Sequence, residues 1–309
     1  MKTKTLGGGR RLIAAVQSCA LCAALMGSTA RSAVFSDQAA LDQSAIFAGN
    51  TIFDGVVAVS VIENNGWYAG SGVVVGDGSW ILTAGHVITT AASQGNTITQ
   101  IRANAGTDAY NPTARGYADS WYVYPGYTGG VGLGVDLALI HLSAPMTSVT
   151  PAELYTGSQS SLTGVMALMA GYGAPGTAGN GIGAFDGIRR AGGNVIGDVS
   201  YPSADPQYLV SRFDSPQSGL SVALEWQGSQ GDSGGPWMVQ DSGIWKVAAI
   251  SSGVNHDPNF SFGDVTFANN VFDYLGWIQS YTSVPEPTTA AVVALGLACL
   301  LGRGKRNTT

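Results

Sequence analysis

The chain has 309 residues, enough for one large domain or two medium ones, and 45% are hydrophobic, so a packed core is expected rather than disorder. Only 11% are charged, about half the usual roughly 25%, and the 44 glycines with many short β-branched runs argue against a helical bundle or coiled coil. Between residues 31 and 283 there are 7 bases (Arg31, Arg102, Arg115, Arg189, Arg190, Arg212, Lys246) against 19 acids, a net charge of about −12. A phosphate-binding surface needs the opposite sign, so nucleic acid is not an expected partner.

Residues 1–33 have the order of a secretory leader: bases up to Arg11, an apolar stretch from Leu12 to Met26, then small residues offering cleavage at Ser28-Thr29-Ala30 or Ala30-Arg31-Ser32. The apolar part is ~15 residues, broken by Gln17 and Ser18 and short of the ~20 that a membrane span needs. Export is therefore expected. Cys19 and Cys22 fall inside this leader, so their Cys-x-x-Cys spacing is not read as a redox or zinc motif.

Residues 34–283 form the expected folded domain, beginning with an N-terminal arm over residues 34–52. Strand-like runs then recur at Val56–Ile62, Gly72–Val75, Trp80–Thr83, Leu137–Leu142, Val165–Ala170, Trp245–Ile250 and Val265–Phe267, each bounded by turn formers. Gly76-Asp77-Gly78-Ser79 reads as a hairpin turn. Residues 92–130 and 171–218 carry little periodicity and are expected to be elaborated surface loops. A short helix over Phe272–Tyr281 would place Val271, Leu275 and Ile278 on one face. The fold class is all-β.

The final 26 residues, 284–309, join Val284-Pro285-Glu286-Pro287 to an apolar run, Thr288–Leu301, and a basic end of Arg303, Lys305 and Arg306. This order resembles the PEP-CTERM sorting signal of Gram-negative bacteria. The resemblance implies an exosortase-type processing enzyme as a partner, delivery to the cell envelope or beyond, and membrane contact only through the tail. The third cysteine, Cys299, lies in this run, so the domain between the ends has none and its core must hold without a disulfide.

Three stretches carry chemistry. Leu82-Thr83-Ala84-Gly85-His86-Val87 sets a histidine just after an apolar strand, and Val135-Asp136-Leu137-Ala138 sets an aspartate at the mouth of another. Gly231-Asp232-Ser233-Gly234-Gly235-Pro236 sets a serine in a glycine-rich loop. A serine hydroxyl needs a base to take its proton as it attacks an acyl carbon, an imidazole can do so near neutral pH, and a carboxylate fixes the imidazole tautomer. Glycines beside the serine let backbone N–H groups converge on a developing oxyanion.

These boxes, in the order His, Asp, Ser and spaced by 50 and 97 residues, resemble those of the trypsin-like serine proteases of chymotrypsin fold. The resemblance spans Val56 to about Tyr281. It implies two six-stranded antiparallel β-barrels with a crossover over residues 143–161 and the site in the cleft between barrels. It further implies His86 as general base, Asp136 as its partner, Ser233 as nucleophile, and the N–H groups of Gly231 and Ser233 as the oxyanion hole. Gln227, six residues before the nucleophile, would floor the substrate pocket, with Asp264 a second candidate to reach it. Ser251-Ser252-Gly253 would pair with the substrate backbone. Asp232 is present, but no basic cleavage site of the family's type stands near Ile52 or Val56, which leaves the partner of Asp232 open.

His141, in an apolar strand, is read as structural. His256, beside Asn255 and Asp257, is read as a loop residue without a second metal ligand at suitable spacing. No cofactor and no metal is expected; the expected partner is a protein or peptide substrate. Rival readings are a catalytically silent binding protein on the same fold, an esterase using the same triad, and a surface-anchored structural protein.

Overall fold

A computed structural model describes residues 33–93, 95–129, 134–197 and 208–283. The expected leader, sorting tail and all three cysteines lie outside them, apart from Ala33. The run Val56-Val57-Ala58-Val59 is β-branched and apolar, which suits a pleated, buried surface, and it begins the first sheet. β2 (Val56–Glu63) pairs with β3 (Gly66–Val75) and with β5 (Ile98–Ala105). With β4 (Trp80–Thr83), β6 (Ala114–Val123) and β7 (Ala138–Leu142) they close a six-stranded barrel in the order β2-β3-β4-β7-β6-β5. The expected hairpin turn joins β3 to β4. Gly76 and Gly78 both take positive φ there, and Asp77 Oδ1 accepts from the Ser79 N–H at 2.9 Å. Val59, Val61, Val73, Ile81 and Leu139 fill the barrel.

The chain crosses to the second half through residues 143–161, as expected, and lays β8 (Glu153–Leu154) parallel to β14 (Ile244–Asn255). The second sheet runs β11-β9-β13-β14-β15-β12, from β9 (Met166–Gly171), β11 (Arg190–Val195), β12 (Tyr208–Arg212), β13 (Pro236–Asp241), β14 and β15 (Val265–Asn270). It curls around Phe35, Trp226, Trp237 and Met169. Among the described residues its outer strands are joined by one bridge, Ile196 to Ser211, rather than by a regular ladder as in the first. A 3₁₀ turn at Phe272–Tyr274 and a short helix, Leu275–Thr282, end the domain with Val271 and Ile278 buried on the first barrel.

Three expectations are corrected. Residues 34–52 are no arm. β1 (Ala33–Phe35) runs parallel to β10 (Pro175–Thr177), and α1 (Gln38–Phe47), capped by Asp37, buries Leu41 and Phe47. Residues 92–130 hold β5 and β6. β6 exposes most of its side chains, so its composition is that of a loop although its backbone is in the ladder. Residues 171–218 hold β10, β11 and β12. β11 is fully buried up to Asn194 yet reads Arg-Ala-Gly-Gly-Asn-Val, because Phe35 and Trp226 occupy the space that a side chain at Gly192 would need.

Arg189 fastens the N-terminal segment to the second half. Its buried guanidinium donates to Ala48 O (2.8 Å), Phe53 O (2.6 Å) and Val56 O (3.1 Å). Arg189→Ala would take this donor from the Ala48 and Phe53 carbonyls and leave Val56 O to the Tyr172 hydroxyl at 3.2 Å, and unfolding free energy in urea should fall by about 2–4 kcal/mol.

Candidate active site

β4 ends at Thr83, and the chain turns through Ala84 into α2 (Gly85–Ser93), setting His86 in the first turn of the helix. β7 begins at Ala138 with Asp136 just ahead of it, fully buried. The two meet twice: His86 Nδ1 lies 2.7 Å from Asp136 Oδ2, and the His86 backbone N–H donates to Asp136 Oδ1 at 2.8 Å. Ser252 Oγ donates to Asp136 Oδ2 at 2.6 Å, giving the carboxylate a third donor. Asn269 Oδ1 accepts from the Asp136 N–H at 3.1 Å. Position and ring orientation of His86 are therefore fixed from both halves of the molecule.

Ser233 and His86 line one cavity of about 1000 Å³, the cleft between the two sheets. No hydrogen bond joins Ser233 Oγ to the His86 ring among the described residues; such contacts are commonly long until substrate is bound. The Ser233 loop is held by its backbone. Ser71 N donates to Ser233 O at 2.7 Å, Ser71 Oγ to Gly231 O at 2.9 Å, and Gly234 N to Ser251 O at 2.8 Å. Gly231, at φ +98°, and Gly234, at φ +86°, take the left-handed region that other residues avoid.

The loop presents two donors. Gln230 O accepts from Ala174 N at 2.7 Å, which aims that carbonyl at Ala174. In a trans peptide the following N–H, that of Gly231, points the other way. Among the described residues, neither Gly231 N nor Ser233 N donates to a backbone acceptor.

Asp232, whose partner the sequence leaves open, is buried. It accepts from Gly173 N (2.8 Å), Ser229 N (2.9 Å) and Ser229 Oγ (3.1 Å). Burial pushes its carboxyl up to about 6 in spite of these donors. It forms no ion pair among the described residues; the nearby Arg190 guanidinium is taken by both oxygens of Asp186.

The expected substrate-binding residues divide. Ser252 and Gly253 line the cleft, but the Ser252 hydroxyl is committed to Asp136, because a bulge between Ser251 and Gly253 turns it out of the β14–β15 ladder. Ser251 faces the core, where its hydroxyl accepts from Trp237 Nε1 at 2.9 Å. Gln227 does not line the cleft: it is fully buried behind it, with Oε1 accepting from Thr266 Oγ1 at 3.1 Å and its backbone bridged to Val34. Asp264 does not line the cleft either. The walls are Ile182, Val254, Phe260 and His256, and the His256 ring stacks on Phe260 at 3.9 Å. Sequence reasoning missed these residues, since Ile182 and His256 sit in loops without a motif. His141 pairs with Asp119 at 2.7 Å and packs on Trp80, on the outside of the barrel. No group of three metal-binding side chains occurs among the described residues.

One buried acid near this wall gives the domain a pH response. Glu225 accepts from Val222 N (2.6 Å) and Asp214 N (3.0 Å), yet burial raises its carboxyl to about 7 from an ordinary 4.5. Between those values the folded chain keeps a proton that the unfolded chain has lost, so this contribution to stability is complete below about 4.5 and is lost as pH rises through about 7. Glu225→Gln should lose less stability than the parent between pH 5 and pH 8, read as urea midpoints.

The structure resembles that of HL collagenase with a TM-score of 0.58 at 16% identity, over 82% of this chain and 98% of the other. No curated protein sequence matches. The family described as Trypsin matches residues 54–278, which takes in both sheets, His86, Asp136 and Ser233, and the chain belongs to that family.

Proposed function

We propose that the chain is an exported serine endopeptidase that works through an acyl-enzyme. The observation that carries this reading is the paired contact of His86 with Asp136, on the wall of the same cleft as Ser233, beside two N–H groups with no backbone acceptor among the described residues. Ser233 Oγ attacks the scissile carbonyl and passes its proton to His86 Nε2. Asp136 keeps the other ring nitrogen protonated and stabilises the imidazolium. The carbonyl oxygen, now negative, is held by Gly231 N–H and Ser233 N–H. His86 returns the proton to the leaving amine, and water then repeats the sequence on the ester. Protein or peptide is the substrate, and no cofactor enters these steps.

Side-chain preference follows from what lines the cleft. A Cβ at Gly228 would stand 3.1 Å from Thr266 Cγ2 and 3.2 Å from Val254 Cγ1, so these two side chains pack against the backbone next to buried Gln227. Val254 also lines the cleft, whose lining holds no carboxylate, so neutral side chains fit and a cation does not.

Both ends are read as processed. We read the leader as ending after Ser32, the second of the two sequence candidates, which would leave Ala33, buried in β1, at the start of the processed chain. The freed amino group would start opposite Pro175, two residues from the Gly173 N–H that holds Asp232, and would supply the cation that Asp232 lacks. The tail from Val284 is read as an exosortase-processed PEP-CTERM signal. Intact-mass measurement on protein from the native host should give a chain starting at Ala33 and lacking the tail; the full chain to Thr309 would sink the sorting reading.

Ser233→Ala and His86→Ala should each lower kcat on peptides by several orders of magnitude, and the double variant by little more. An active-serine phosphonate should label the parent and not Ser233→Ala; labelling that persists removes Ser233 from the mechanism. Val254→Gly should raise kcat/KM for Leu or Phe relative to Ala before the scissile bond by roughly tenfold, at the scale of pocket-filling methyl groups.

A further inference from the structure

A second groove leaves the cleft on the far side of Gly231. Its first part, about 320 Å³, lies between Gln230 and Gly231 on one wall and Trp67, Ala69 and Phe185 on the other. Through those same three residues it continues into a cavity of about 490 Å³ on the outside of the closed barrel, where Tyr110, Arg102 and Arg115 take over. Trp67 and Tyr110 are 55% and 58% exposed, high for aromatic rings, and both pack edge-on against Phe185, at 5.7 and 6.3 Å. They rim the groove without filling it.

The charges are as unusual as the rings. Arg190, Arg212 and Lys246 each have a carboxylate within 4.0 Å, and Arg189 is buried against backbone carbonyls. Arg102 and Arg115 have neither a carboxylate partner among the described residues nor a buried setting: their Nε atoms donate to Gln100 Oε1 and to Asn104 Oδ1. Both line the larger cavity, and no acid lines either part of the groove. In a domain with 19 acids against 6 bases, two guanidinium groups left facing one cavity mark a site for an anion.

The strand register gives the reach. Ala69, Ser60 and Arg102 stand opposite one another on β3, β2 and β5. Arg102 is therefore two strand spacings, about 10 Å, from the mouth of the groove, a distance that about three residues of extended peptide cover. The pocket of Ser252, Gly253 and Val254 lies on the other side of Gln230 and takes the acyl side of a substrate. The groove is left for the departing side.

We propose that this groove binds the leaving-group side of a peptide substrate and that Arg102 and Arg115 select an acidic side chain roughly three to five residues beyond the scissile bond. The inference rests on the serine peptidase reading. Trp67 and Tyr110 cover the intervening backbone, and the guanidinium groups meet the carboxylate in a fork that their Nε contacts already orient.

The test uses internally quenched peptides identical up to the scissile bond, with Asp and Glu, Asn and Gln, or Lys at the third to fifth following positions. The expected order of kcat/KM is acidic over neutral over basic, by roughly threefold to tenfold at each step for partly exposed ion pairs, narrowing as salt rises. In Arg102→Gln/Arg115→Gln the acidic-to-neutral ratio should fall to near one. Equal rates on the three peptides, or a ratio unchanged in the double variant, would overturn the proposal. Binding of the same labelled peptides to Ser233→Ala, read by fluorescence anisotropy, separates the two readings. Acid-selective binding to a parent that neither cleaves nor takes the phosphonate sinks the peptidase reading alone. Phosphonate labelling of a parent without acid selectivity sinks the groove alone.

Discussion

The geometry of the cleft depends on one buried serine that no motif picks out. Ser71, on β3 of the closed barrel, donates its N–H to Ser233 O and its hydroxyl to Gly231 O, while that hydroxyl accepts from Tyr172 N at 2.9 Å. Its own carbonyl accepts from Thr83 Oγ1 at 2.7 Å, at the end of the strand that leads to His86. One residue thus ties the loop of Ser233, the strand before His86 and the segment after β9. Moving one half against the other would break several of these bonds at once. Each group then stranded would cost about 1–3 kcal/mol in a site closed to water. A cleft built between two separately packed cores keeps its register for that reason.

The same logic of cross-connection holds Asp136. A carboxylate buried without partners would rather be protonated than charged. This one has donors from its own half, the two His86 nitrogens, and from the other half, Ser252 Oγ. Ser252 reaches it only because the bulge removes it from the β14 ladder. The edge that lines the cleft and the residue that donates to the carboxylate are therefore consecutive positions of one strand. At Glu225, two backbone N–H groups do not offset desolvation, and the carboxyl is raised to about 7.

The central machinery was legible because chemistry demands particular side chains in particular local settings. The fold sets His86 and Ser233 on one cleft with Asp136 buried behind His86; the strands next to His86 and Asp136 were visible as β-branched runs, whereas β13, which follows Ser233, was not. What escaped was structure made by small or polar residues. β11 is hidden by its glycines: Leu224 O, Phe35 and Trp226 leave no room for a Cβ at Gly192, and Met166 crowds Gly193. β6 is hidden by its exposed polar face. α1 is hidden by a weakly amphipathic, alanine-rich sequence, though Asp37 ahead of Gln38-Ala39-Ala40-Leu41 was a usable capping signal. Gln227 was assigned to the pocket by its distance from the serine. Distance along the chain cannot show that Val254 and Thr266, from two other strands, would pack against the backbone next to it.

The absence of cysteine from residues 33–283 sharpens the role of these polar joints. A domain exposed to an oxidising compartment can staple its loops with disulfides, which act largely on the unfolded chain. Here the joints act on the folded chain. Arg189 gathers three carbonyls of the N-terminal segment, the Tyr172 hydroxyl reaches Gly106 O at 2.5 Å from inside the first barrel's core, and Asn269 holds the backbone of Asp136. All three belong to the second half of the chain and bond groups belonging to the first. Hydrogen bonds of this kind add little net stability when made and cost much when broken singly. Their effect is to make partial opening expensive, so the two halves come apart together or not at all. That cooperativity keeps His86 and Ser233, which come from different halves, on the two walls of one cleft.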